Sequence, residues 1–110
     1  MNFYIGNSIS EINRQNENVY FSTEFGDYLF DNKDNLGTDL QWFFDIDPYE
    51  IALVDVSTIP SIIESCSILA GLRIWEKYDF PKDGETAIIG LLDMSKKAYD
   101  KNKGLVSFGD

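Results

Sequence analysis

Thr38-Asp-Leu-Gln-Trp-Phe-Phe-Asp-Ile-Asp-Pro-Tyr-Glu50 crowds four aromatic and four acidic residues together, with no basic residue among them. Thr38, with Gln41 three positions on, has the spacing of a capping box, which opens a helix. Leu40, Phe43 and Phe44 then fall at i, i+3 and i+4, the stripe by which an amphipathic helix faces a core. Pro48 disfavours α geometry at Asp47, so the helix is expected to end there. At ~100° per residue, Trp42 points away from that stripe, with Asp39 and Asp45 three positions to either side and Ile46 four beyond. The element therefore reads as two-sided, one face for the fold and one for a partner.

Working outward, residues 2–5 read as a short strand closed by Gly6-Asn7, and 8–18 as polar chain with at most one helical turn. Val19, Phe21, Thr23 and Phe25 alternate on one side, the period of a half-buried strand. Gly26-Asp27 then supplies a turn before Tyr28-Leu29-Phe30, so a hairpin is expected, followed by a polar loop over 31–37. On the other side, 51–56 reads as a strand. Ser57 is expected to cap a helix running to about Tyr78, with Pro60 in its first turn. Its apolar stripe is Ile59, Ile62, Ile63, Cys66, Leu69 and Ala70; Ile68 lies opposite, which implies cover on two faces, and Gly71 is a candidate kink. Residues 79–84 form a breaker-rich loop before a third helix over about 85–101, with Ile88, Leu91, Leu92, Ala98 and Tyr99 on one face. Lys96, Lys97 and Lys101 suit the C-terminal end of its dipole, and Gly104 is the expected stop. Residues 105–108 read as a closing strand. The sum is an α+β fold, one small domain over 1–110, with about three helices packed beside a short, mostly antiparallel sheet.

The formal charge of −10 is unevenly placed. Residues 17–64 hold eleven carboxylates against one base, Lys33, while the rest of the chain carries eight acids and eight bases. Such asymmetry repels nucleic acid and anionic membrane and steers a basic partner toward one region. The plainer account is that acidity keeps a small protein soluble. No apolar run approaches the ~20 residues of a bilayer span, and the N-terminus lacks the basic and long apolar regions of a secretory signal. The lone Cys66 fits a reducing compartment. The expected location is the cytoplasm.

Catalytic chemistry finds little to use. With no histidine in the chain, the commonest acid–base group near neutral pH is missing, and so are Ser-His and Cys-His nucleophile pairs. Cys66 sits in an apolar helix stripe, where a free cysteine is usually an inert small hydrophobe. One cysteine without histidine writes no zinc pattern. An EF-hand loop started at Asp31 puts Lys33 at a ligand position, Leu36 where glycine is required and Trp42 where a bidentate glutamate belongs, so it fails. Asp45 and Asp47 have the residue type of a glycosidase pair, but helix-end carboxylates before Pro48 account for them as well. The scattered glycines make no phosphate loop or dinucleotide fingerprint. No cofactor or metal is expected, and the chain reads as a binding protein rather than an enzyme.

Tyr20-Phe-Ser-Thr-Glu-Phe-Gly-Asp27, then Asp45-Ile-Asp-Pro-Tyr49, then the helix bearing Ile62, Ile63, Cys66 and Leu69, together resemble the small acidic immunity proteins of bacterial polymorphic-toxin and contact-dependent growth inhibition systems. The resemblance covers most of the chain. Because such proteins differ in fold, no contact residue carries over. What the resemblance implies is tight, non-covalent neutralisation of one cognate toxin C-terminal domain in the cytoplasm, often a nuclease with a basic nucleic-acid site.

The expected contact residues are Glu24, Asp27, Asp31, Asp39, Trp42, Asp45, Asp47, Tyr49 and Glu50. Trp42 ringed by acids has the make-up of an interface hot spot; the opposing expectation is that so large an aromatic is buried in so small a domain. Two other functions stand beside immunity. One is an acidic adaptor or regulatory module for a basic protein segment, with no toxin involved. The other is a carboxylate enzyme using a divalent metal.

Overall fold

Alternation along Asn2-Phe-Tyr-Ile5 and Leu105-Val-Ser-Phe108 gives each stretch two apolar sides, as expected of central strands covered on both faces. The computed structural model, which describes residues 1–109, pairs these two segments in the middle of one sheet. The strands are β1 (Asn2–Ile5), β2 (Val19–Tyr20), β3 (Ala52–Val54) and β4 (Leu105–Phe108), all antiparallel, in the order β2-β1-β4-β3. Phe3 sits opposite Ser107 and Tyr4 opposite Val106. One face of the sheet, carrying Phe3, Val19, Val54 and Leu105, meets the helices in the main core. On the other face, Tyr4, Val106 and Phe108 form a second small cluster under Ile12, and the Arg14 guanidinium lies 4.3 Å from the Phe108 ring centre.

Four helices supply the rest of the core: α1 (Thr23–Asp31), α2 (Gln41–Phe44), α3 (Ile59–Leu72) and α4 (Pro81–Asp100). The expected α+β class therefore holds, with one helix more than expected. The extra helix replaces the hairpin expected over 18–30. Only Val19 and Tyr20 pair with β1; Ser22 then caps α1, its hydroxyl accepting the Phe25 N–H at 3.1 Å. Phe25 and Leu29, one helical turn apart, go into the core. Tyr28 anchors the helix laterally, donating its hydroxyl to the Ile74 carbonyl at 2.8 Å.

Other boundaries move for identifiable reasons. The helix expected over 38–47 shrinks to the single turn of α2, and no capping box forms. Asp39 instead accepts the Gln41 N–H at 2.8 Å, an Asx turn ahead of the helix. Leu40 and Phe43 are buried as expected, whereas Phe44 is half-buried and Ile46, expected on the outer side, is buried. Asp55 rather than Ser57 makes the cap before α3, accepting the Ser57 N–H and hydroxyl. α3 ends at Leu72 rather than Tyr78, because Arg73 takes a left-handed conformation (φ 50°) and a tight turn over residues 74–77 buries Trp75. Gly71 thus lies in the last turn.

α4 begins at Pro81, inside the expected loop, since proline at the first helical position sacrifices no hydrogen bond. Gly84 is needed where α4 crosses its neighbours: a Cβ there would come within 2.9 Å of both Phe25 and Trp75. Ile88, Leu91 and Ala98 are buried on α4 as expected, but Tyr99 is exposed. The stop is Asn102 (φ 54°), not Gly104: Lys103 N–H reaches the Ala98 carbonyl at 2.9 Å and Asn102 N–H that of Tyr99 at 3.0 Å, a Schellman closure. Gly104 has a different duty, since a Cβ there would lie 2.0 Å from the Val54 carbonyl oxygen across the sheet. Among the described residues, no helix is long and apolar enough to cross a membrane.

Candidate functional site

The eight acids and aromatics expected at a contact surface alongside Trp42 are all exposed, but they divide into three places. Glu24, Asp27 and Asp31 fall at i, i+3 and i+7 of α1 and so share its outer face. Asp39 and Trp42 border a groove between residues 37–42 and α3. Asp45, Asp47, Tyr49 and Glu50 occupy the turn that leads from α2 into β3. The first and third places adjoin, because a cleft of about 160 Å³ is lined by Asp27 together with Phe44, Ile46 and Pro48. At that junction Phe30 packs edge-on to Phe44 at 5.3 Å, and the Lys33 ammonium sits 4.1 Å from the Phe30 ring centre.

The groove at Trp42 measures about 510 Å³. Its first wall is the chain from Gly37 to Trp42; its second carries Ser57, Ser61, Glu64 and Ser65. Trp42 is neither a free-standing anchor nor wholly core. It is half-buried, and its indole N–H donates to the Ser65 hydroxyl at 3.3 Å. Ser65 also receives the Thr38 hydroxyl at 3.3 Å and bonds the Asp39 carbonyl at 3.2 Å, so one buried hydroxyl ties the first wall to the second. The lining offers two carboxylates, Asp39 and Glu64, with hydroxyls between them and no base. Ammonium and guanidinium groups are the ligands that such a lining suits, as charge-assisted donors to its carboxylates and hydroxyls.

Glu64, Ser57, Ser61 and Ser65 were not among the expected contacts. The signal was present: serines at 57, 61 and 65 recur every four residues, a polar stripe complementary to the apolar stripe of α3.

Ten of the eleven carboxylates between 17 and 64 are exposed and have no ion-pair partner among the described residues; only Glu17 is paired, with Lys97 at 3.0 Å. Four of the ten hold local structure. Asp39 and Asp47 accept main-chain N–H groups two residues on, Asp45 accepts the Gln41 side-chain amide at 2.7 Å, and Asp55 caps the turn before α3. Hydrogen bonds from the Ser57 hydroxyl and N–H hold the Asp55 carboxyl below the usual aspartate range. The other six, Glu24, Asp27, Asp31, Asp34, Glu50 and Glu64, accept no hydrogen bond from the described residues.

No family model, curated protein or solved structure matches this chain. Function is therefore read from the surface.

A larger cleft lies elsewhere, about 740 Å³ between β2 and α4. Its charges are mixed, with Glu17, Asp83 and Asp93 facing Lys96 and Lys97. None of the expected contact residues borders it. Cys66 is buried and burial pushes its thiol up to about 12, so it is protonated and unreactive near neutral pH. Among the described residues no three acids or thiols converge as a metal site would need.

Proposed function

We propose that this chain is a recognition protein for a basic partner, and specifically a cytoplasmic immunity protein that neutralises a toxin domain, with a nuclease as the expected toxin. The supporting observation is the uncompensated acidic surface: ten exposed, unpaired carboxylates among the described residues of one segment, with no lysine or arginine anywhere from 34 to 72. A surface of this kind raises encounter rates with a basic domain and repels nucleic acid that competes for the same toxin. The groove at Trp42 supplies a place where a lysine or arginine side chain of that partner is held.

If a toxin C-terminal domain is encoded directly upstream of this chain, co-expression with it tests the proposal. Growth protection and a co-purifying complex are expected, with an association rate that falls steeply as salt rises. Reversal of Asp39 and Asp45 to lysine should slow association and leave the fold intact. Protection without any salt dependence would remove the acidic face from the docking surface; absence of both complex and protection would overturn the immunity reading.

A further inference from the structure

β3 ends the sheet, and its outer side is open. Gly6 N–H donates to the Gly104 carbonyl at 3.0 Å, which fixes the phase of the β1–β4 ladder. Main-chain groups alternate sides along an antiparallel strand, so even-numbered residues of β4 turn toward β1, while Leu105 and Ser107 turn toward β3. Their partners, Val54 and Ala52, therefore point N–H and C=O inward, and Leu53 points both outward. No hydrogen bond among the described residues reaches the Leu53 main chain.

The side chains beside this edge are unusual for a solvent boundary. Ile51 is 50% exposed and Leu53 59%, and Tyr49 just ahead of them is 66% exposed. Natural sheets commonly guard such an edge with lysine or proline in the strand; this edge has neither. The charged residues that flank the strand in sequence are acidic, Asp47 and Glu50 before it and Asp55 after it, while one base, Arg14, lies over Phe108 on the neighbouring strand.

We infer that β3 is a docking edge which takes an extended, basic segment of the partner as a fifth strand. This rests on the basic-partner reading above and adds where and in what conformation the partner binds. Leu53 supplies one main-chain donor and one acceptor, Ile51 and Leu53 supply apolar contact, and the three carboxylates select lysine- or arginine-bearing strands over acidic ones. A second copy of this chain is the disfavoured occupant, because pairing edge to edge would bring the acidic flanks of two copies, Asp47, Glu50 and Asp55 of each, onto the same edge.

The probe is a short end-capped peptide of alternating lysine and valine, titrated into the protein while main-chain amides are followed by NMR. Binding should protect the Leu53 N–H from exchange. It should weaken at least about tenfold in Leu53→Lys, and equally when the peptide's own amides are N-methylated, a change that leaves every charge in place. Binding without protection at Leu53, or binding that survives N-methylation, would overturn the edge and leave the acidic-face reading standing. Equal binding of a glutamate–valine peptide would confirm the edge and remove the basic partner, so the two failures separate. No binding of either peptide would overturn the edge. So would a dimer of the free protein that Leu53→Lys converts to monomer, since the edge would then serve self-association.

Discussion

Replacing Ser65 by alanine removes the hydroxyl on which the Trp42 groove is assembled. Three hydrogen bonds go with it, from Thr38 and Trp42 and to the Asp39 carbonyl, at 3.2–3.3 Å. Those distances are long for hydroxyl bonds, and the partners are only partly buried, so water can replace some of what is lost. Each is therefore taken at the low end of the usual net range, about 0.5 kcal/mol, which gives about 1.5 kcal/mol for the three. For a domain of this size that lowers Tm by about 6–12 °C. Urea unfolding measures the stability loss, and iodide quenching of Trp42 in a Trp75→Phe background reports on the groove, which should open. A Ser65→Ala protein within about 0.3 kcal/mol of its parent and with unchanged quenching would show that the hydroxyl does not hold the two walls together.

Gly71→Ala and Gly84→Ala should move in opposite directions: a Cβ at Gly71 meets nothing within 4 Å, so the change stabilises by about 0.4–1 kcal/mol, whereas Gly84→Ala forces Phe25 and Trp75 apart at a cost of about 1–3 kcal/mol; equal effects in urea unfolding would refute the crossing at Gly84. Cys66 should resist maleimide labelling at pH 8 in native protein and react at the ordinary thiol rate in urea, since its folded thiol is pushed up to about 12; fast native labelling would contradict its burial. Asp55 and Glu11 are both held below their ordinary values, Asp55 by Ser57 and Glu11 chiefly by the Asn7 N–H. Because the folded values are lowered, the stability they add is full above the unfolded carboxyl range and is lost as pH falls through the folded values. Asp55→Asn should therefore flatten the acid limb of stability against pH, with an unchanged limb as the contrary result.

Much of the framework could be read from the chain, because it depends on local periodicity. The strands at 2–5 and 105–108 and the apolar stripes of α3 and α4 follow from alternation and from helical spacing. The stretch 19–25 could not be read that way, because Val19, Phe21 and Phe25 satisfy a strand pattern while Phe25 and Leu29 satisfy a helical one. Ser22, a residue whose hydroxyl caps N-termini, was the tie-breaker. At the site, the sequence placed the acids on the surface correctly and left Trp42 undecided, since both of its fates are compatible with the same helix. Its half-burial depends on Ser65, distant in sequence, and no local pattern reports that pairing. Gly84 and Gly104 look like ordinary loop and stop residues in the sequence. Their real constraint is the approach of other segments, and only the assembled fold reveals it.

The pairing of β1 with β4 sets when the molecule can come into being. The two central strands are separated by almost the whole chain, and closing so long a loop costs roughly 2 kcal/mol more than closing a hairpin loop a tenth as long. Before residues 105–108 emerge from a ribosome, β1 has only the two residues of β2 to pair with, and β3 has no partner at all. The helices can gather earlier, but the sheet waits for β4 to be made, so its assembly is cooperative rather than progressive. A nascent chain stalled short of β4 would leave Leu105's strand partners, Ile5 and Val54, unpaired, and would be a substrate for chaperones and proteases.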